Sequence, residues 1–141
     1  MAQGYMDGKA NKSVVDGLAR VLADTFVIYF KTHTHHWNVT GPQFKALHDL
    51  FEEQYTELWN ATDELAERIR ALDSFAPVSM KELQGLATLR EVGQLPDADE
   101  MVKQLATDNR AIVDSIYPAL RDAEEAGDEA TTDMLIERVQ I

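Results

Sequence analysis

All four histidines of this 141-residue chain, His33, His35, His36 and His48, fall within the stretch HTHHWNVTGPQFKALH, residues 33–48. Three carboxylates of ligand type follow on the same stretch of chain: Glu52, Asp63 and Glu67. Imidazole combined with carboxylate suits iron, zinc or manganese. The chain has no cysteine, so disulfides, thiolate metal sites and thiol catalysis are excluded.

The elements that must position these residues read as helices, because apolar residues recur at helical spacing and glycine and proline are sparse. A first helix is expected from Ser13, its N-cap, to about Trp37. Its apolar stripe is Val15, Leu18, Leu22, Phe26 and Tyr29. The same rhythm continues onto His33 and His36, while His35 points to the opposite face and is expected to be an exposed helix-end residue. Gly41 permits a turn, and Pro42 suits the first position of a second helix running to about Leu72. The stripe of that helix is Phe44, Leu47, Phe51, Tyr55, Leu58, Leu65 and Ile69, with Thr62 as its polar member. A threonine is tolerated there because its hydroxyl can bond a carbonyl one turn back. With His48 at zero, Glu52, Asp63 and Glu67 sit at about 40°, 60° and 100°, on the flank of an apolar stripe centred near 300°.

Residues 73–96 hold a short helical segment, MKELQGLATL, in a connection long enough to cross the end of a bundle. Asp97 caps a third long helix to about Ala126, with a kink expected at Pro118 and a stop at Gly127. Thr131 or Thr132 begins a last helix, which the chain leaves at about 16 Å. Two hairpins joined by one long crossover predict an all-α, ferritin-like four-helix bundle with a short crossover helix and an apparently truncated last helix. Residues 1–12 are expected to be a flexible tail and residues 13–141 the bundle domain.

Hydrophobic residues make up 45% and charged residues 27%, a mixture that folds rather than stays disordered. The net charge of −12 favours cations over DNA or anionic membrane. No stretch approaches the ~20 apolar residues of a membrane helix, and MAQGYMDGKANKS is not a signal peptide. A cytoplasmic location is expected.

Axial distance limits how the ligands combine. Asp63 lies about 22 Å beyond His48 along one helix, far more than one ion can bridge. The sequence also lacks any Glu-x-x-His, the pair on which bundle-internal di-iron centres rely. Two hairpins placed antiparallel about a two-fold axis remove the conflict. The histidine end of one then meets Asp63 and Glu67 of the other, giving two equivalent sites about 20 Å apart.

The segment THHWNVTGPQFKALHDLFEEQY, followed by ATDELAERI, closely resembles the Dps family of mini-ferritins. Its motif elements are His36-Trp37-Asn38, a second histidine at His48, and Asp63-x-x-x-Glu67 followed by Arg68. The resemblance covers the chain from about residue 13 onward. It implies an intersubunit ferroxidase centre, with His36 and His48 from one subunit and Glu52, Asp63 and Glu67 from its partner. It further implies a homo-oligomer, two-fold dimers assembled into a dodecameric shell. That shell would oxidise Fe(II), preferentially with hydrogen peroxide, store ferric mineral and protect against oxidative stress.

The remaining residues carry plainer expectations. His33 matches no family ligand and reads as packing or interface. Glu52 is one turn from His48 and reads as an auxiliary ligand, with a solvated carboxylate as the rival. Trp37 is explained by packing as well as by proximity to iron. Asp122, Glu125, Asp128 and Asp133 read either as a soluble surface with a helix cap or, by the resemblance, as the lining of an iron-entry pore. Lys9 and Lys12 are a poor DNA-binding tail, so DNA binding is expected to be weak or absent. The competing reading is a redox-silent helical oligomer that binds a divalent metal, with zinc as a substitute for iron.

Overall fold

Every regular element among residues 8–140, the part of the chain that the computed structural model describes, is helical. The order is α1 (Gly8–Asn38), α2 (Phe44–Ala71), α3 (Met80–Leu86), α4 (Ala98–Glu125) and α5 (Glu129–Gln140). The hairpin α1–α2 packs through α1 against α4, α4 turns back into α5, and α3 rides on α1 within the crossover. This is the expected bundle. No described helix is long and apolar enough to cross a membrane.

Helix α1 differs from its expected form in two respects. It begins at Gly8 rather than Ser13, so residues 8–12 are helix; the rest of the expected tail lies outside the described residues. The early start is anchored: Asn11 Nδ2 donates to the Leu72 carbonyl at 3.2 Å, tying the first turn to the end of α2. The second difference is the buried seam, which is Val14, Leu18, Val21, Thr25, Ile28, Thr32 and His35. Its steps alternate between four and three residues, the rhythm of a helix packed along its length. Thr25 and Thr32 disguise it in the sequence, and both satisfy their hydroxyls locally, on Val21 O and Ile28 O at 2.7 Å. At one point the packing is close enough to need glycine. A Cβ on Gly17 would stand 3.0 Å from Ala119 Cβ on α4.

The α1–α2 turn places Gly41 at φ +105°, and the Phe44 amide bonds Gly41 O at 3.1 Å. Pro42 therefore sits in the turn, and α2 starts after it at Phe44. Helices α2 and α4 end in the same doubly bonded reversal. In α2 the amides of Asp73 and Ser74 return to Arg70 O and Ile69 O, with Asp73 at φ +63°. In α4 those of Gly127 and Asp128 return to Glu124 O and Ala123 O, with Gly127 at φ +73°. Thr62 bonds back to Trp59 O at 2.6 Å, as expected.

A single buried carboxylate fixes the crossover. Asp24, fully buried on α1, accepts from the Thr88 amide at 2.6 Å, the Thr88 hydroxyl at 2.8 Å and the Leu89 amide at 3.0 Å. Asp97 caps α4 by accepting from the Glu100 amide at 2.9 Å, and α4 continues through Pro118. Asp128, rather than a threonine, caps α5 by accepting from the Thr131 amide at 3.1 Å. With 12 residues, α5 is about 18 Å long against about 46 Å for the 31 residues of α1. Beyond Arg138, which pairs with Glu57, α2 and α4 flank an open groove floored by Leu58, Ile112 and Ile116.

Candidate metal centre

The hairpin turn joins the end of α1 to the start of α2 and so brings His36 and His48 together. Their rings stack with centroids 3.8 Å apart and planes 19° from parallel. Each ring also bonds the other residue's backbone. His36 Nδ1 donates to His48 O at 2.8 Å, and His48 Nδ1 donates to His36 O at 2.9 Å. A carbonyl only accepts, so each neutral ring carries its proton on Nδ1 and a free lone pair on Nε2. A fixed tautomer of this kind is what a metal-binding imidazole requires. His36 is 8% exposed and His48 half-buried, with Phe44 stacked on the His48 ring at 4.9 Å.

The carboxylates lie elsewhere. Glu52, Asp63 and Glu67 are all exposed on α2. Because α2 is one unbroken helix, Glu52 stands about 6 Å along the axis from His48 but about 16 Å from Asp63. This corrects the expectation that Glu52 joins Asp63 and Glu67 in the partner's contribution. A rigid helix sets it one turn from His48 of its own chain. Asp63 and Glu67 stand one turn apart near the far end. Among the described residues no three His, Asp or Glu side chains converge on a common point within the chain.

The end of α2 that carries Asp63 and Glu67 is braced by Arg68. Its Nε donates to Thr131 Oγ1 at 2.9 Å and its Nη2 pairs with Asp128 at 3.2 Å. Asp128 is fully buried, so of the acidic residues expected at a pore it is a structural cap and not part of a solvent-facing ring. Glu125 and Asp133 are exposed, and Asp122 is half-buried.

His35 is 2% exposed, against the expectation of an exposed helix end. It completes the α1 seam against Phe51, with ring centroids 6.2 Å apart. Burial pushes its pKa below the ordinary histidine value; the Gln104 side chain opposes this, the Lys31 charge adds to it, and Asp108 opposes it. Lys31 and Asp108 form a buried ion pair at 2.6 Å beside it.

The face of α1 and α2 that carries His36 is aromatic. His33 stacks on Tyr55 at 3.8 Å and 11°, and accepts or donates at Nδ1 with Tyr29 Oη at 2.9 Å. Tyr55 stands edge-on to His36 at 5.1 Å. Burial lowers the His33 pKa, with His36 acting in the same direction, and burial raises that of the Tyr29 phenol, with Tyr55 adding to it. Trp37 and Trp59 on this face are 59% and 53% exposed, and each packs within the chain on one side only, Trp37 against His33 at 4.6 Å and Trp59 against Tyr29 at 5.0 Å.

An all-helical bundle of two hairpins joined by one long crossover is the architecture of a ferritin-like protein. Comparison with known proteins agrees. Residues 15–140 match the family model described as a ferritin-like domain. The chain is 36% identical over 126 residues to DNA protection during starvation protein 2 of Bacillus anthracis, covering 89% of this chain and 86% of that one. The crystal structure of a Dps protein from Bacillus brevis superimposes with a TM-score of 0.91 at 36% identity, covering 96% of this chain and 91% of the other. A Dps protein from Vibrio cholerae O1, described as a member of a broad superfamily of ferritin-like diiron-carboxylate proteins, gives a TM-score of 0.91 at 30% identity, covering 96% and 85%. The chain belongs to the Dps family of ferritin-like proteins.

Proposed function

We propose that this protein is a ferroxidase and iron store whose metal sites are built between two subunits. The observation that carries the reading is the reciprocal lock of His36 and His48, which commits both Nδ1 atoms to backbone carbonyls and leaves both Nε2 atoms for a ligand, with too few ligands beside them in the chain. In a two-fold dimer, His36, His48 and Glu52 of one chain face Asp63 and Glu67 of the other, and each dimer holds two such sites. The exposed aromatic face around Trp37, Phe44 and Trp59 is the surface that such pairing would cover.

Fe(II) is the substrate. Two imidazoles and up to three carboxylates give a mixed nitrogen and oxygen donor set, which holds Fe(II) and, with its negative charge, favours Fe(III). The protein's part is to hold the ion with open positions for the oxidant. Hydrogen peroxide is the preferred oxidant in this reading, which keeps iron and peroxide from reacting in free solution. The dimers assemble further, into a dodecameric shell that retains the mineral in the cytoplasm, and DNA plays little part in the function.

Anaerobic stopped-flow oxidation of Fe(II), started with peroxide and followed together with light scattering, tests the reading. Fast oxidation with soluble, shell-sized particles is expected. His36→Ala and Asp63→Ala should each slow the reaction by about tenfold or more, as loss of a metal ligand does, while leaving helix content unchanged. Wild-type rates no faster than protein-free buffer would overturn it in favour of a redox-silent metal-binding oligomer, for which zinc fits the same ligands.

A further inference from the structure

A dimer in which Asp63 and Glu67 of one chain face His48 of the other fixes the level of every residue along α2. The midpoint of that span, close to Thr56, lies at the two-fold axis. Arg70 stands about 20 Å past Thr56 along the helix, and Gln43 about 20 Å before it. Arg70 of one chain is therefore level with the α1–α2 turn of the other. It also shares the face of the ligands. With His48 at zero, Arg70 sits at about 40°, between Trp59 at about 20° and Asp63 at about 60°.

Arg70 presents an aromatic ring on that face. Its guanidinium lies 4.3 Å from the centre of the Phe75 ring, and its Nη1 donates to Ser74 O at 2.9 Å. The Phe75 ring is nevertheless 81% exposed, a large apolar side chain held in water by a cation that is also tied to its loop. An aromatic anchor arranged in advance loses little freedom on docking, and buried aromatics dominate contact energies. The turn opposite is complementary. Helix α1 ends at Asn38, and among the described residues no amide bonds the Trp37 or Asn38 carbonyl. The helix end therefore carries open acceptors and partial negative charge, and Arg70 has N–H donors to spare for them. Phe44, 42% exposed, adds apolar surface beside the turn. We propose, resting on the two-fold pairing of the ferroxidase reading, that Arg70 and Phe75 form a latch that docks on the α1–α2 turn of a second copy of this chain. The latch holds the His36–His48 end of one subunit opposite Asp63 and Glu67 of the other.

The chain has no cysteine, so introduced thiols can be trapped without background. Phe75→Cys is combined with Gln43→Cys in the full chain, treated with a short bismaleimide and run on a denaturing gel. Within one chain α2 separates these positions by about 40 Å, so a link between them joins two chains. A covalent dimer is expected from the double variant and not from either single one. Phe75→Cys with Lys103→Cys, exposed on α4, should give none. Thr56→Cys alone, exposed and near the axis, should link to its own copy and reports the pairing itself. Linkage at Thr56→Cys but none between Phe75→Cys and Gln43→Cys overturns the latch and leaves the two-fold pairing standing. No linkage in any variant overturns both. Phe75→Ala and Arg70→Ala should each raise the dimer dissociation constant about tenfold or more in sedimentation equilibrium, with helix content unchanged by circular dichroism. Unchanged dissociation constants would overturn the latch.

Discussion

The chemistry of the site depends on two protons. By donating Nδ1–H to each other's carbonyls, His36 and His48 commit one nitrogen to orientation and leave the other for the metal of the proposed site. That pair was legible in the sequence, because a short turn between two long helices brings the last residues of one to the first residues of the next. His35 was not legible. Its seam carries two threonines where apolar residues would have announced it, so the adjacent stripe through His33 and His36 stood out instead. Its burial has a pH consequence. The unfolded chain binds a proton at His35 near pH 6.5, and the folded chain, with its pKa pushed down by burial, does not. The stability is therefore complete above about pH 6.5 and falls as the pH drops from there toward the folded value. Urea unfolding at steps between about pH 7.5 and 5.5 should show this decline, and His35→Gln should flatten it. An equal slope in both proteins would show that His35 titrates alike in the folded and unfolded chain.

Among the elements, the two long hairpin helices and α4 were readable from periodicity and from the caps at Asp97 and Gly127. The crossover was readable only as a length. What holds it is Asp24, an acidic residue within a helix, and nothing in the local pattern separates it from a solvated carboxylate. Three donors from Thr88 and Leu89 converge on it. Replacing it with alanine strands the two amides against the bundle and should cost about 2–3 kcal/mol of stability, the scale of losing hydrogen bonds to a buried charge. Hydrogen exchange should show the Thr88 and Leu89 amides losing protection while those of α2 keep theirs. Unchanged protection at Thr88 and Leu89 would mean that the crossover is held by its apolar contacts instead. Arg68 joins elements in a similar way. The sequence marked it as part of a motif, and the structure shows why its position matters: it ties the carboxylate end of α2 to the cap of α5.

At the scale of the whole molecule, charge decides which partners the protein can approach. A net charge of −12 on each chain grows with every subunit added, and opposes contact with phosphate. Plasmid DNA should therefore show no mobility shift at physiological salt and neutral pH without added divalent metal. A clear shift under those conditions would contradict the weak DNA binding expected of this chain. Asp63 and Glu67 were legible in the sequence as ligand-type residues too distant to share an ion with His48, and in the single chain no histidine joins them.

The intersubunit site is the central claim, and subunit mixing tests it most directly. A His36→Ala chain and an Asp63→Ala chain each lack one ligand of every site when alone. Unfolded, mixed in equal amounts and refolded together, they form hybrid dimers in which one site is doubly damaged and the other is intact. Random pairing then restores about a quarter of the wild-type rate of peroxide-driven Fe(II) oxidation. A site contained within one subunit would give no restoration, and that result would contradict the account.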